Sequence, residues 1–209
     1  MSGSILGGAS KAVNAMSCGG ICQGTRPGII ARMSYRVIEK QGIYSGKKIS
    51  LEIHHLENEQ GERVKKEVVV HPGAVVVLAF LDQQTILLLR NRRYAIGQIL
   101  VELPAGTLEK GEAPMNCAGR ELMEETGYLA TRLKPIGNFY PSPGVMSEKM
   151  YAFAAYDLEK AERSLEAGEE IEVEPTGLAE AINMIRTGQI QDGKTIAVLL
   201  MYERFHGRS

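Results

Sequence analysis

The stretch that decides the reading is Gly106-Thr107-Leu108-Glu109-Lys110-Gly111-Glu112, followed by seven residues and then Arg120-Glu121-Leu122-Met123-Glu124-Glu125-Thr126-Gly127-Tyr128. Pro114 suits a first helical turn, where its missing N–H costs nothing, and Gly127 suits a helix end, so a helix is predicted over Ala113 to Thr126. At about 100° per residue, Met115, Ala118, Leu122 and Thr126 fall on one face, while Glu121, Glu124 and Glu125 share an arc on another. Like charges at these spacings repel one another, and the C-terminal end of a helix is the wrong end of its dipole for anions. The arrangement calls for a compensating cation. Hard divalent ions such as Mg²⁺ bind a few carboxylates together with water and phosphate oxygens. A bare Glu-x-x-Glu-Glu is more often a solvated acidic face, but the glycine loop ahead of it changes that weighting.

Strand signals surround the helix. Lys48 to His54 alternates apolar and polar residues as a half-buried strand does, Asn58 to Gly61 reads as a turn, and Val64 to Val70 as a second strand. Gly73 to Leu81 is a continuous apolar run suited to a strand covered on both faces, and Thr85 to Leu89 and Ile99 to Leu103 follow. Beyond the helix, Lys149 to Tyr156 and Glu170 to Val173 read as strands, and Leu178 to Arg186 and Thr195 to Phe205 as amphipathic helices. The expected class is α/β or mixed α+β: a mixed sheet between helices, preceded by N-terminal antiparallel strands.

With 209 residues and 44% hydrophobic content the chain has ample material for one packed core. One domain over residues 33–209 is expected. Residues 1–32 stand apart, rich in Gly, Ser and Ala, with Lys11, Arg26 and Arg32 as their only charges. They read as a disordered extension or a targeting segment, and Met33 is an alternative start. Lys and Arg total 24 against 25 Asp and Glu, so no global field draws in nucleic acid or an anionic membrane. Three cysteines, Cys18, Cys22 and Cys117, suit a reducing compartment better than a disulfide framework. The expected location is cytoplasmic, or organellar if the N-terminus is a transit peptide. No apolar run reaches the ~20 residues of a membrane-spanning helix.

Gly106, Glu112, Arg120, Glu121, Leu122, Glu124, Glu125, Gly127 and Tyr128 match every fixed position of the Nudix box, so the chain resembles the Nudix hydrolases. The resemblance implies a loop–helix–loop in which glutamates bind metal and Arg120 orients a neighbouring glutamate. It implies metal-assisted hydrolysis of a pyrophosphate, with Mg²⁺ or Mn²⁺ as cofactor. Glu121 and Glu125 are the implied principal ligands, Glu124 a second metal or water contact, and the Ala105 carbonyl a further member of the shell.

Flanking segments bear on the substrate. His71 to Val75, Arg90 to Tyr94, Glu102 to Gly106, and Ser142-Pro143-Gly144 with Glu148 resemble the ADP-ribose pyrophosphatase branch, over roughly Tyr35 to Phe205. Pro143, sixteen residues beyond Gly127, is a marker of that branch. Arg90 and Arg93 are candidates for the diphosphate or a sugar phosphate, and Glu102 for substrate amino or hydroxyl groups. The acidic segment from Glu166 to Glu174 resembles one from which relatives draw a base or metal ligand, and Glu169 is favoured there over Glu166 and Glu170. The branch implies a homodimer assembled through the N-terminal strands at about 35–70. The expected substrate is ADP-ribose or a related ADP-sugar. Hydrolysis of GDP-mannose or another nucleoside diphosphate-sugar, and a non-catalytic ADP-ribose-sensing module, are the alternatives, with RNA processing ranked last.

Overall fold

The computed structural model describes residues 35–207, so the reading of residues 1–32 lies outside the described residues. Its centre is the apolar run, which forms β4 (Ala74–Ala79), every residue of it buried. Because alternate side chains of a strand point to opposite faces, Val75, Val77 and Ala79 enter one core and Ala74, Val76 and Leu78 another. The first core is closed by Cys117, Ala118 and Leu122 of α1 (Pro114–Thr126). The second is closed by Ala181 of α2 (Leu178–Arg186) and by Val198 and Leu199 of α3 (Gly193–Phe205). Helices therefore cover both faces of β4, which explains the absence of alternation in its sequence.

Three groups of strands make up the rest: β1 (Tyr35–Ser45), β2 (Ser50–Asn58) and β3 (Arg63–Val70); β5 (Thr85–Arg93), β6 (Gln98–Glu102) and β10 (Ile171–Gly177); and β7 (Ala105–Thr107), β8 (Tyr128–Phe139) and β9 (Met150–Lys160). The first is an antiparallel sheet in the order β1-β2-β3, the second runs β10-β5-β6, and the third β7-β4-β9-β8. The β4–β9 pairing is parallel and the other pairings are antiparallel, so the sheet system is mixed as expected. A bridge between Phe80 and Ile86 links β4 to β5. The N-terminal sheet is tied to the rest through Val69, whose N–H donates to Val145 O and whose carbonyl accepts from Ser147 N.

The structure differs from the sequence reading in several places. Strand β7 lies at the start of the expected glycine loop, and β8 has no counterpart there: half of its residues are exposed, with Pro135 at a register shift, so its apolar alternation is weak. The short strand expected from Glu170 to Val173 continues to Gly177 and pairs along β5. Met115, which shares a face with the buried Ala118 and Leu122, is itself 47% exposed. It sits in the first turn, and Cys117 fills the core instead.

Candidate active site

An open cleft of about 1080 Å³ lies where β7, α1, the segment after β9 and the N-terminus of α3 meet the β1–β2 hairpin. Its wall includes Ala105, Gly106, Arg120, Glu121, Glu125, Glu169, Arg93 and Lys194. The chain enters it through Pro104, whose carbonyl accepts from Val77 N at 2.8 Å, and β7 then pairs with β4. Gly106 lets the Glu121 carboxylate approach the backbone closely: a Cβ there would displace that carboxylate. Gly127 ends α1 in the left-handed conformation, φ 73°, with its N–H donating to Met123 O.

Arg120 organises the loop against the helix. Its Nε and Nη2 donate to the two oxygens of Glu112 at 2.9 Å each, and its Nη1 donates to Glu121 Oε1 at 2.8 Å and Glu124 Oε2 at 2.9 Å. Nη2 also reaches Thr107 O at 3.3 Å. The guanidinium bonded to Glu112 holds that carboxyl at about 2, well below the ordinary range. Glu112 also accepts from Glu109 N, closing the glycine loop.

Glu121 and Glu125 stand under the opposite influence. Burial raises the pKa of Glu121, Arg120 lowers it, and Glu124 and Glu169 raise it again. Glu125, only 4% exposed, is pushed up to about 8, first by burial and then by the charges of Glu121 and Glu169. The Ala105 N–H, donating to Glu125 Oε2 at 2.9 Å, and Arg93 offset this in part. Glu121, Glu125 and Glu169 thus form an incompletely neutralised group of hard oxygen donors, the donor chemistry a divalent cation of the Mg²⁺ class takes. Among the described residues no three His, Cys, Asp or Glu side chains stand together, as placed, in a group that could hold a metal ion. Arg120 engages Glu121, and the Ala105 N–H engages Glu125. By its oxygen chemistry the donor set suits a cation, and the bare Gly106 backbone leaves room for the Glu121 carboxylate.

Behind the cleft residues Arg93 and Lys194, Glu102 is 1% exposed and bonded to both. Arg93 Nε donates to its Oε1 at 2.7 Å and Arg93 Nη2 to its Oε2 at 2.5 Å, while Lys194 Nζ donates to Oε2 at 2.5 Å. Lys194 also lies 2.9 Å from Asp192, the N-cap of α3. Thr195 Oγ1 donates to Asp192 and accepts from Leu103 N, fastening α3 to the strand that leads into the site. A lysine in the first turn of a helix opposes the helix dipole, and Glu102 and Asp192 hold it there. Sequence reasoning missed Lys194. Its only local signal is that unfavourable position, because Glu102 lies 92 residues away in the chain.

The remaining expected residues separate. Glu169 lies in the cleft wall with Glu121 and Glu125. Arg90 is exposed and pairs with Glu174 at 3.7 Å, away from the wall. Pro143 is exposed in the turn after β8, with its neighbour Pro141, rather than Pro143, in the wall.

An acid-bearing loop–helix–loop on a mixed sheet between helices defines the Nudix class of hydrolases. A model of the NUDIX domain matches residues 70–199, and the chain belongs to the Nudix family. An ADP-ribose pyrophosphatase of Bacillus subtilis (strain 168) is 41% identical over 162 residues, 77% of this chain and 88% of that protein. A methanol dehydrogenase activator of Bacillus methanolicus is 36% identical over 163 residues, again 77% and 88%. A GDP-mannose pyrophosphatase of Citrobacter koseri is 36% identical over 138 residues, 61% of this chain and 71% of that protein. The solved structure of an ADP compounds hydrolase shares the fold, with a TM-score of 0.72 at 20% identity over 81% of this chain and 92% of that one.

Proposed function

We propose that this protein hydrolyses the pyrophosphate linkage of ADP-ribose or a related ADP-sugar to AMP and a sugar phosphate, with Mg²⁺ as its cofactor and Mn²⁺ as a substitute. The observation that carries the reading is the gathering, in the lining of one cleft, of the Glu121, Glu125 and Glu169 carboxylates with the cations Arg93 and Lys194. A diphosphate lying in such a cleft would meet both cationic donors and carboxylates able to hold a metal. The substrate assignment draws on the similarity to the Bacillus subtilis enzyme along most of its length.

In this reading Glu121 and Glu125 would hold the metal, with Glu124 and the Ala105 carbonyl assisting. A bound divalent cation supplies Lewis acidity toward the phosphoryl oxygens and eases deprotonation of water. The Glu169 carboxylate accepts a proton from the attacking water as a new P–O bond forms and the bridging P–O bond breaks. Arg120 keeps Glu121 and Glu124 aligned, and Glu102 keeps Arg93 and Lys194 at fixed height above the substrate. Pro143 shapes the neighbouring turn, and Arg90, exposed and paired with Glu174, lies outside the cleft lining of the single chain.

The active assembly is a homodimer of a single domain spanning residues 33–209. Ten of the eleven residues of β1 are exposed, including Val37 at 48% and Tyr44 at 61%, an apolar burden that a second copy would cover. The near-neutral charge supports neither a nucleic-acid nor a membrane partner, and no described helix is long and apolar enough to cross a membrane. Buried, unpaired Cys117 fits a reducing, cytoplasmic setting.

A substrate panel of ADP-ribose, GDP-mannose, NADH and dGTP with Mg²⁺ tests the reading. Preference for ADP-ribose supports it, preference for GDP-mannose overturns the specificity alone, and tight ADP-ribose binding without turnover replaces it with a sensor.

A further inference from the structure

The last carbonyls of a helix have no partner within it, and α1 carries no basic residue in its last turn. Those carbonyls belong to the turn that bears Glu124 and Glu125. The chain supplies their partners from the segment 161–170 between β9 and β10. Ala161 N donates to Gly127 O at 2.8 Å, and Ser164 N to Glu124 O at 3.2 Å. Arg163 Nε donates to Glu125 O at 2.6 Å and its Nη2 to Ile171 O at 2.7 Å.

One guanidinium therefore joins three points: the start of the loop, its end at Ile171, and the carboxyl end of the helix. It also brings the missing cation to the negative end of the helix dipole. The span it encloses contains Glu166 and Glu169, where Glu169 N donates to Glu166 O at 3.1 Å and Glu166 N to the Glu169 carboxylate at 2.9 Å. Glu169 stands in the cleft wall with Glu121 and Glu125. Gly127 admits the clasp, because a Cβ there would lie 3.3 Å from Ala161 O and 3.4 Å from Arg163 Cβ.

We propose that Arg163 is a positioning residue that closes the 163–171 loop on the end of α1 and thereby sets Glu169 over the metal-binding carboxylates. This rests on the reading of Glu169 as the base. Unclasped, the loop keeps Glu166 and Glu169 but loses the fixed ends that restrict where Glu169 can be. The guanidinium spans both carbonyls from a rigid fork, a geometry that a lysine ammonium does not reproduce.

A double-mutant cycle on the full chain, with ADP-ribose and Mg²⁺, separates the two ideas. Arg163→Met is expected to lower kcat ten- to a hundredfold with KM changed less than about threefold, the scale of a misplaced reacting group. Glu169→Gln is expected to lower kcat as well, and the double variant to be no slower than Glu169→Gln alone. Arg163→Lys keeps the charge at the helix end, so it is expected to hold the melting temperature while still lowering kcat. Hydrogen exchange, which needs no substrate, is expected to quicken at residues 165–170 in Arg163→Met but not along β4. If the Arg163 and Glu169 effects multiply, the clasp does not act through Glu169 and the inference fails while the base assignment stands. If Glu169→Gln alone turns over at the wild-type rate, both fail. Wild-type turnover by Arg163→Lys, or unchanged exchange in the loop, also overturns the inference.

Discussion

Replacing Glu125 by Gln should make the metal-free protein more stable while abolishing its activity. The wild-type carboxyl is 4% exposed and its pKa is raised to about 8 from an unfolded value near 4.5. A carboxyl raised on folding leaves the native state unpenalised below the unfolded pKa, and stability is lost as pH climbs through the interval to the folded pKa. At pH 7 that loss is about 3 kcal/mol. Gln has no proton to lose, and its amide oxygen retains the Ala105 N–H as donor. In a domain of this size the difference corresponds to roughly 6–12 °C in melting temperature. Thermal unfolding in EDTA between pH 5 and 8 reads it directly. The wild type should melt progressively lower as pH rises, Glu125→Gln should stay nearly level, and Mg²⁺ should restore the wild type alone. Parallel curves for the two proteins in EDTA would refute the claim that Glu125 is an uncompensated buried acid.

Further expectations follow from individual contacts. Gly106→Ala places a methyl group on the Glu121 carboxylate, so turnover should fall by about a hundredfold or more with an unchanged circular dichroism spectrum. Lys194→Met removes one of two cations from a buried carboxylate; KM should rise about tenfold or more, from loss of a charged hydrogen bond to phosphate, and steady-state kinetics will show whether kcat moves less. Charged substitutions at Val37 and Tyr44 should shift the protein from dimer to monomer in light scattering, since both side chains are exposed in the single chain.

The sequence made visible what depends on local period and local chemistry. The unbroken apolar run marked β4 because both of its faces are covered by helices. Pro114 and Gly127 marked the ends of α1, and the box residues marked its purpose. Strand β8 escaped because it faces solvent for much of its length and satisfies its backbone by pairing with β9, which leaves little side-chain pattern to read. The candidate site was legible where its residues lie close in the chain, as with Arg120, Glu121 and Glu125, which share the cleft lining. Lys194 and Arg163 act through partners 92 and 38 residues away, and a lysine or arginine at such distances carries no signal of whom it will meet. Glu102 shows the same limit from the other side. Its expected partners are substrate amino or hydroxyl groups, and the donors that its carboxylate accepts from within the chain are Arg93 and Lys194, the latter 92 residues away.

The most direct test is hydrolysis of ADP-ribose in ¹⁸O-labelled water, with products separated and weighed by mass spectrometry, for the wild type and Glu125→Gln with and without Mg²⁺. The account predicts AMP and ribose 5-phosphate from the wild type with Mg²⁺, one of them carrying a single ¹⁸O on its phosphate, and almost no product in the other arms. Bond cleavage elsewhere in the substrate, or undiminished hydrolysis by Glu125→Gln, would contradict it.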